Sequence, residues 1–247
     1  MLARLLTSLI AALPSGIKYR LSALKPLYIP LLRLGQPELS IQTSAGALRW
    51  QINELTSQEH IRATYEPYMQ HALSASIRPG FVVYDIGAHA GFHTLFAALL
   101  AGPTGQVIAF EPHPRSAMLL RQQLLLNPLL AVRVLEYAVS VQDATINFDI
   151  RGASSQARIQ ESGELHVTAK RLDGLVIAEA IPPPDLIKLD VEGHEEQVLC
   201  GALQMLQTYG PIVLCDYNDD QSLPMVQRVL EPLGYTVQPG PPIWASR

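Results

Sequence analysis

Short apolar runs alternate with helix-like segments through most of the chain, and this alternation limits the possible folds more than any other feature. The runs that read as strands are FVVYDIG, GQVIAFEP, AVRVLEYAV, PPPDLIKLD and PIVLCDY. Segments with helical periodicity lie between them, and SLPMVQRVLEPLG follows the last one. Strands that alternate with helices form a parallel sheet with helices on both faces. The chain is therefore predicted to be an α/β protein with a doubly wound, mostly parallel sheet.

Other segments complete the predicted layout. SAGALRWQINEL reads as a short hairpin, and TSQEHIRATYEPYMQHALSASI reads as one helix with Thr56 or Ser57 near its cap. ATINFDI and ELHVTAK alternate apolar and polar residues, so they form an antiparallel pair or lie beside the sheet. EEQVLCGALQMLQTYG is expected to be a single helix. We predict a mainly helical N-terminal extension in residues 1–78 and one α/β domain in residues 79–247.

Acidic side chains end four of the predicted strands. Asp85, Glu111, Asp190 and Asp216 each fall at a carboxyl end. Ligands of parallel α/β sheets lie outside these ends. An ordered binding site is therefore a better interpretation of the four carboxylates than a solvated sheet edge.

The loop DIGAHAGF joins the first strand to its helix and carries Gly87, His89 and Gly91. Glycine permits tight turns and close approach of a ligand to the backbone. The dinucleotide fingerprint G-x-G-x-x-G is absent, since His89 interrupts it. Glu111 follows Gly91 by twenty residues, at the end of the second strand, where an acid suits the hydroxyls of a ribose. The pattern favours a nucleoside-containing cofactor, and the alternative is a structural turn beside an exposed glutamate.

The run IKLDVEG places a lysine inside a strand that otherwise reads as buried. Side chains alternate along a strand, so Lys188 and Asp190 project to the same side. A buried charge is costly unless it is paired or bound. The charges therefore mark a substrate site, with His194 immediately after it, or an ion pair of Lys188 with Asp190 or Asp85 that holds the sheet.

Composition excludes some classes of partner. The net charge is −4 and 48% of the residues are apolar, which favours a large core and disfavours nucleic acid as a partner. Cys200 and Cys215 are the two cysteines, and we interpret them as core residues of a protein from a reducing, cytoplasmic compartment.

Residues 1–37 carry five basic side chains and no acidic one. Their opening apolar stretch of about 12 residues is shorter than the roughly 20 that span a bilayer. A basic, leucine-rich segment can rest on an anionic membrane surface. Peripheral membrane contact through this segment is therefore possible, and the alternatives are docking on the domain or on a second subunit of a homodimer.

Motifs in a fixed order resemble the FkbM family of S-adenosylmethionine-dependent methyltransferases. They are VYDIGAHAGFHTLFAA, VIAFEPHP, AVS, RLDGL and DLIKLDVEGHEEQVLCGA, within residues 81–217. The resemblance implies a class I methyltransferase (Rossmann-like) fold and S-adenosyl-L-methionine as the cofactor. It also implies transfer of a methyl group to a hydroxyl of a sugar, glycan or small natural product.

The resemblance further implies which residues hold the cofactor. Carried over by position, they are Asp85, Gly87, Ala88, His89, Gly91, Glu111, Pro112, His113, Ala138 and Asp190. Glu111 would bind the ribose, and His113 flanks the adenine or faces solvent. Two positions depart from the family pattern. Val141 follows AVS where an acid is frequent, and Asp143 is a candidate substitute for the adenine contact. The fifth strand ends in Asp216 instead of glutamate.

For methyl transfer to a hydroxyl, the predicted catalytic residues are His194, Asp190 and Lys188. A positioned base contributes roughly 10²–10⁴-fold, and imidazole titrates near neutral pH. His194 is the expected base, with Asp190 as the partner that orients it or accepts the proton. Asp190 could instead hold a divalent metal that acidifies the hydroxyl, although no metal is expected.

Two alternative functions are open at this level. One is a nicotinamide-dependent sugar-nucleotide enzyme, which the interrupted glycine pattern and the absence of a Tyr-x-x-x-Lys pair disfavour. The other is a non-catalytic binding or membrane-tethered scaffold that retains the fold.

Overall fold

A computed structural model of the chain describes residues 38–149, 158–159, 165–178, 180–216 and 221–247. The predicted N-terminal segment, residues 1–37, lies outside the described residues. Membrane contact and dimerisation through that segment therefore stay predictions.

The described elements follow one another in the predicted alternation. The strands are β1 Glu38–Thr43, β2 Gly46–Gln51, β3 Val82–Ile86, β4 Gln106–Phe110, β5 Val132–Leu135, β6 Ala138–Val139, β7 Ala144–Asp149, β8 Arg158–Ile159, β9 Leu165–Lys170, β10 Leu186–Leu189, β11 Ile212–Cys215, β12 Thr236–Gln238 and β13 Ile243–Ser246. The helices are α1 Gln58–Ile61, α2 Pro67–Ser76, α3 Phe92–Ala101, α4 Pro114–Leu126, α5 Leu172–Ile177, α6 Glu195–Cys200, α7 Leu203–Tyr209 and α8 Ser222–Leu230, followed by a 3₁₀ turn, Glu231–Leu233.

The central sheet has seven strands in the order β5-β4-β3-β10-β11-β13-β12. All neighbours from β5 to β11 pair in parallel, and β13 is antiparallel to both of its neighbours. The strand order reverses between β3 and β10, which is the position where open α/β sheets bind ligands. The predicted doubly wound, mostly parallel sheet is confirmed. The β12–β13 pair is an addition that the alternating pattern did not predict.

Helices cover both faces of this sheet. On one face, Ile86 and Ile187 pack with apolar residues of α5, α6, α7 and α8. On the other face, Val83 and Leu186 pack with α2 and α3. Because side chains alternate along a strand, Asp85 and Lys188 point to the same side as Val83 and Leu186. The charged pair therefore lies under α2 and α3, within a dry layer.

The helix predicted from Thr56 to Ile77 is two helices, α1 and α2. Ser57 caps α1 as predicted, since its hydroxyl accepts from the His60 amide at 3.3 Å. Ala63 and Glu66 have positive φ, and Pro67 begins α2. Proline disfavours helical geometry in the residue before it, so the chain breaks at Glu66.

The helix predicted over residues 195–210 also breaks, at Gly201. A Cβ there would come within 2.1 Å of the Ser140 carbonyl oxygen. Gly201 therefore lets the segment between α6 and α7 pack directly against the backbone of Ser140, which follows β6. The helix is interrupted at the same point. The third predicted strand divides as well, because β5 ends at Leu135 and β6 belongs to another sheet.

Two smaller sheets flank the central one. The predicted antiparallel pair is confirmed as β7 and β9, within a sheet of order β6-β9-β7-β8. The predicted hairpin is β1 with β2, although its first strand begins at Glu38, ahead of the run first identified. Leu48 of this hairpin packs with Leu95 and Leu120 of the domain. The boundary at residue 78 stays a prediction, and the described part of residues 38–78 packs onto the sheet and its helices.

Candidate active site

One cleft opens at the carboxyl ends of the central strands, where the strand order reverses. Its walls are Tyr65, Glu66, Ile86, Gly87, His89, Phe110, Glu111, Pro112, Tyr137, Ala138, Val139, Asp190, Val191, Glu192, His194 and Asp216. The structure therefore brings together most of the residues predicted for the cofactor and for catalysis. Four of the predicted residues lie behind these walls: Asp85, Ala88, Gly91 and Lys188. The His113 side chain is also outside the cleft wall.

Lys188 is the buried cation of the site. Its ammonium lies 3.1 Å from Asp85 Oδ1 and 3.3 Å from Asp190 Oδ2. It also donates to the Gly87 carbonyl at 3.1 Å. Burial favours the neutral amine, but the carboxylates of Asp85 and Asp190 outweigh it and raise the pKa of Lys188. The side chain is therefore a permanent ammonium that joins the glycine loop to the end of β10.

Asp85 completes this buried network. The Thr94 hydroxyl of α3 donates to Asp85 Oδ2 at 2.6 Å. The carboxylate is almost fully buried, so its charge depends on Lys188 and Thr94 for compensation. The predicted pairing of Lys188 with Asp85 and Asp190 is present, and it lies directly beneath the cleft. The structural and the functional interpretations of this strand end are thus compatible.

The two glycines of the loop make room for protein atoms. Gly87 has φ +85°, and a Cβ on it would come within 1.8 Å of the Asp190 carbonyl oxygen. Gly91 has φ +92°, and a Cβ there would come within 2.2 Å of a Leu120 methyl carbon. The amides of Gly87 and Ala88 both donate to the Phe110 carbonyl, at 3.0 and 3.1 Å. The loop is therefore fixed between the ends of β4 and β10.

Glu111 is held by backbone amides on two sides. His89 N donates to its Oε2 at 2.7 Å, and His113 N donates to its Oε1 at 2.8 Å. Burial raises the pKa of Glu111 to about 7, despite the two amides, which act in the opposite direction. The carboxylate is thus oriented in the cleft wall while its charge remains sensitive to pH.

The His113 side chain caps α4. Its Nδ1 accepts from the amides of Arg115 and Ser116, at 3.2 and 3.4 Å. The residue contributes its own amide to Glu111, so it supports the site through its backbone. The structure thus shows that the His113 ring caps a helix, and its contact with the adenine stays a prediction.

The stretch after Asp190 is shaped by Glu195. Its Oε1 accepts from the amides of Val191 and Gly193, at 3.4 and 3.1 Å. Glu192 has φ +54°, so this turn contains a non-glycine residue in the left-handed region. Such strained residues cluster at functional sites. The turn presents Glu192 and His194 to the cleft.

His194 is the N-cap residue of α6, and its Nε2 lies 3.0 Å from the Ser140 hydroxyl oxygen. Burial lowers the pKa of His194 below its usual value. The ring is therefore neutral at neutral pH, and one of its nitrogens is occupied by Ser140.

Several cleft residues were not predicted as site residues, and Tyr137 and Glu66 are two of them. Tyr137 follows β5, so the rule that strand ends carry sites could have found it. Glu66 precedes Pro67 between α1 and α2, and the only signal was an acidic residue before a proline inside a predicted helix. Tyr68, two residues further along, donates its hydroxyl to Asp216 Oδ1 at 3.0 Å. The α2 helix thus supplies part of the cleft that the strand ends do not.

Asp143 does not take the place of the acidic residue missing at Val141. Its carboxylate lies 2.8 Å from the Lys170 ammonium and accepts from the Arg171 amide at 2.9 Å. It is outside the cleft, because these contacts hold it against β9. The suggested substitution at the adenine contact is therefore wrong.

In the part of the chain that the structure describes, histidine, cysteine and acidic side chains form no group of three or more suited to a metal ion. Asp190, the suggested ligand, faces the Lys188 ammonium instead. Among the same residues, no helix has the length and apolar character needed to cross a bilayer.

The fold and the cleft define a class I methyltransferase. Residues 85–236 match the family model of the methyltransferase FkbM domain, and the chain belongs to that family. Two solved structures share the fold at a TM-score of 0.50. One is a methyltransferase FkbM from Methylobacillus flagellatus, with 13% identity over 78% of this chain and 56% of that chain. The other is a precorrin-6y C5,15-methyltransferase from Geobacter metallireducens, with 15% identity over 79% of this chain and 90% of that chain.

Curated relatives carry more sequence similarity. The hexuronic acid methyltransferase AglP of Haloferax volcanii is 30% identical over 54% of each chain. The 2-O-methyltransferase NoeI of Sinorhizobium fredii is 27% identical over 58% of this chain and 66% of its own length. The 31-O-demethyl-FK506 methyltransferase FkbM of Streptomyces tacrolimicus is 28% identical over 69% of this chain and 77% of its own. The chain thus spans about half to two thirds of the first two relatives.

These findings confirm the family and the fold class predicted from the sequence. They also favour S-adenosylmethionine over a nicotinamide cofactor, since the family is one of methyltransferases.

Proposed function

We propose that this protein is an S-adenosylmethionine-dependent O-methyltransferase that methylates a hydroxyl of a sugar, a glycan or a small natural product. The main support for the proposal is the Glu111 carboxylate, which two backbone amides orient in the wall of a cleft where the strand order reverses. The relatives support the acceptor class, because their names specify a hexuronic acid, a 2-O position and the 31-O position of FK506.

The residues of the cleft fit this cofactor. Glu111 would accept hydrogen bonds from the ribose hydroxyls, as acids at this strand end do in dinucleotide-binding sheets. His89, Pro112 and Ala138 would flank the nucleoside, because all three lie in the cleft wall close to Glu111. When bound, the cofactor supplies a methyl group on a positively charged sulfur. The negative charge of the cleft suits that cation.

The chain's own residues then align an acceptor and exclude water. Alignment of two reactants can contribute roughly 7–11 kcal/mol to catalysis. Asp190 and His194 both face the cleft at the same strand end, so they are suited to hold the acceptor hydroxyl. Lys188 acts as a positioning residue, since its ammonium fixes Asp190 from below. His194 is the proton acceptor suggested by the sequence.

The first experiment offers methyl-labelled S-adenosylmethionine and a panel of methyl glycosides to the purified protein. Suitable members are methyl β-D-glucopyranoside, methyl β-D-glucuronopyranoside and methyl β-D-glucosaminide. We expect label on a hydroxyl oxygen of at least one glycoside, located by NMR and mass spectrometry, and none with Asp190→Ala. Transfer to nitrogen or to a carboxylate would contradict the O-methyltransferase proposal. Cofactor binding without transfer to any glycoside would favour the scaffold instead.

Cofactor affinity should depend on pH through Glu111. Its pKa in the free protein is about 7, and ribose hydroxyls bind the ionised form. Below that pKa, Glu111 is protonated in the free protein and must lose its proton when the cofactor binds. Affinity for the cofactor should therefore fall by about tenfold for each pH unit below 7. Above it, this dependence on Glu111 should end, and any further change reflects the cofactor's own α-amino group, which titrates at about pH 8. Calorimetric Kd values between pH 5 and 9 would measure the slope.

The matched control for this dependence is Glu66→Gln, which removes the other cleft acid with a raised pKa. The slope should disappear in Glu111→Gln and persist in Glu66→Gln. A slope that follows Glu66 instead would contradict the assignment of Glu111 to the ribose.

A further inference from the structure

Glu66 has a backbone conformation that its sequence does not favour. Its φ of 42° and ψ of 66° are left-handed, and Pro67 follows it. Non-glycine residues in that region are strained by about 1–3 kcal/mol and cluster at functional sites. Glu66 occupies the N-cap position of α2, yet its side chain makes no capping hydrogen bond. The carboxylate therefore gives the helix nothing that would explain the strain.

Glu66 instead forms part of the cleft wall, and its side chain is 23% exposed. Its Oε2 is buried and has no hydrogen-bond donor among the described residues. The nearest basic group is His93 Nδ1 on α3, at 3.6 Å. Burial lowers the pKa of His93 well below its usual value, so the ring is neutral and does not compensate the charge. A buried acceptor of this kind is costly unless a ligand supplies the donor.

Several charged groups face Glu66 from the elements around it. Asp190 at the end of β10 and Asp216 at the end of β11 disfavour its ionised form, whereas Lys188 and the neighbouring Tyr65 hydroxyl favour it. Burial is the largest influence, and the balance raises the pKa of Glu66 to about 7. A base is most effective when its pKa lies near the working pH.

His194 is less suited to the same task. Its Nε2 is already within hydrogen-bond distance of Ser140, and the structure places its ring beside β6. Glu66 and Asp190 line the same cleft, and Glu66 Oε2 has no donor within hydrogen-bond distance among the described residues. The arrangement thus offers a buried carboxylate where an acceptor hydroxyl would need one.

We propose that Glu66, and not His194, accepts the proton of the acceptor hydroxyl during methyl transfer. The proposal rests on the proposed function of the cleft. As the new O–CH₃ bond forms, the O–H bond breaks and its proton passes to Glu66. The bond between the methyl carbon and sulfur breaks at the same time, and its electron pair remains on the sulfur. His194 then serves to position the acceptor.

Glu66→Gln tests this assignment with the best methyl glycoside of the panel and saturating S-adenosylmethionine. We expect kcat to fall by about 10²–10⁴-fold, the loss typical of a general base, with an unchanged Kd for the cofactor. The wild-type kcat/KM for the glycoside should rise to a plateau near pH 7, and the variant should lose that rise. His194→Gln should retain it. Glu59→Gln, an exposed acid of α1, should retain both rate and profile.

Glu66→Gly separates catalysis from folding. Glycine adopts positive φ readily, so the variant should melt at the wild-type temperature or a few degrees above it while losing activity. Added formate should restore part of that activity by replacing the carboxylate.

Three results would overturn the proposal. They are wild-type kcat in Glu66→Gln, a pH profile that changes only in His194→Gln, and a lower melting temperature for Glu66→Gly. A folded wild-type protein that binds no S-adenosylmethionine would instead contradict the proposed function itself.

Discussion

Replacing Lys188 with methionine should lower the free energy of unfolding by about 3–5 kcal/mol, the usual effect of removing one partner of a buried ion pair. The ammonium is 4% exposed and lies 3.1 Å from Asp85, which is itself 2% exposed. Methionine would fill much of the space but leave the Asp85 charge with the Thr94 hydroxyl alone. Urea denaturation of both proteins at pH 8 would measure the difference.

Lys170→Met is the matched control, because Lys170 forms an exposed ion pair with Asp143 at 2.8 Å. Exposed pairs contribute little, so its urea midpoint should stay at the wild-type value. Adding Asp85→Asn to Lys188→Met should recover part of the lost stability, since it removes the unpaired charge. Equal effects of the Lys188 and Lys170 substitutions would contradict the role given to the buried pair.

Gly87→Ala should abolish cofactor binding and destabilise the protein. A Cβ at this position would come within 1.8 Å of the Asp190 carbonyl oxygen, and φ is +85°. The obstacle is backbone, so the loop and the end of β10 would have to move apart. That movement would separate Lys188 from the Gly87 carbonyl, which it contacts at 3.1 Å. Calorimetry with S-adenosylmethionine and thermal melting would measure the two effects.

Gly174→Ala is the control for this substitution. Gly174 lies in α5, is exposed, and has nothing within 4 Å of an added Cβ. Alanine is favoured over glycine in a helix by up to about 1 kcal/mol, so this variant should be slightly more stable and bind the cofactor normally. Normal binding of S-adenosylmethionine by Gly87→Ala would contradict this prediction. It would show that the cofactor loop does not require the close approach of Gly87 to the Asp190 carbonyl oxygen.

Much of the fold could be predicted from the sequence because its signals are local. Apolar strands alternating with helices determine a parallel sheet, and the carboxyl ends of parallel strands meet at one edge. Asp85, Glu111 and Asp190 therefore lie near one another, as expected from their positions alone. The family resemblance added the cofactor, which no local pattern specified.

The features that were missed depend on contacts between distant segments. The break at Gly201 follows from its contact with Ser140, which no sequence window contains. Glu66 reaches the cleft because α2 packs against the same sheet face as Asp85 and Lys188, and periodicity does not reveal that placement. The glycine loop was predicted, but the close contacts of its glycines with Asp190 and Leu120 were not. Local patterns thus located the site, whereas packing determined its walls.

Calorimetric titration of the folded, ligand-free protein with S-adenosylmethionine and, separately, with NAD⁺ would test the cofactor assignment. We expect one saturable site for S-adenosylmethionine, with affinity much reduced in Glu111→Ala, and no binding of NAD⁺. Absence of S-adenosylmethionine binding by a protein that circular dichroism shows to be folded would contradict that assignment.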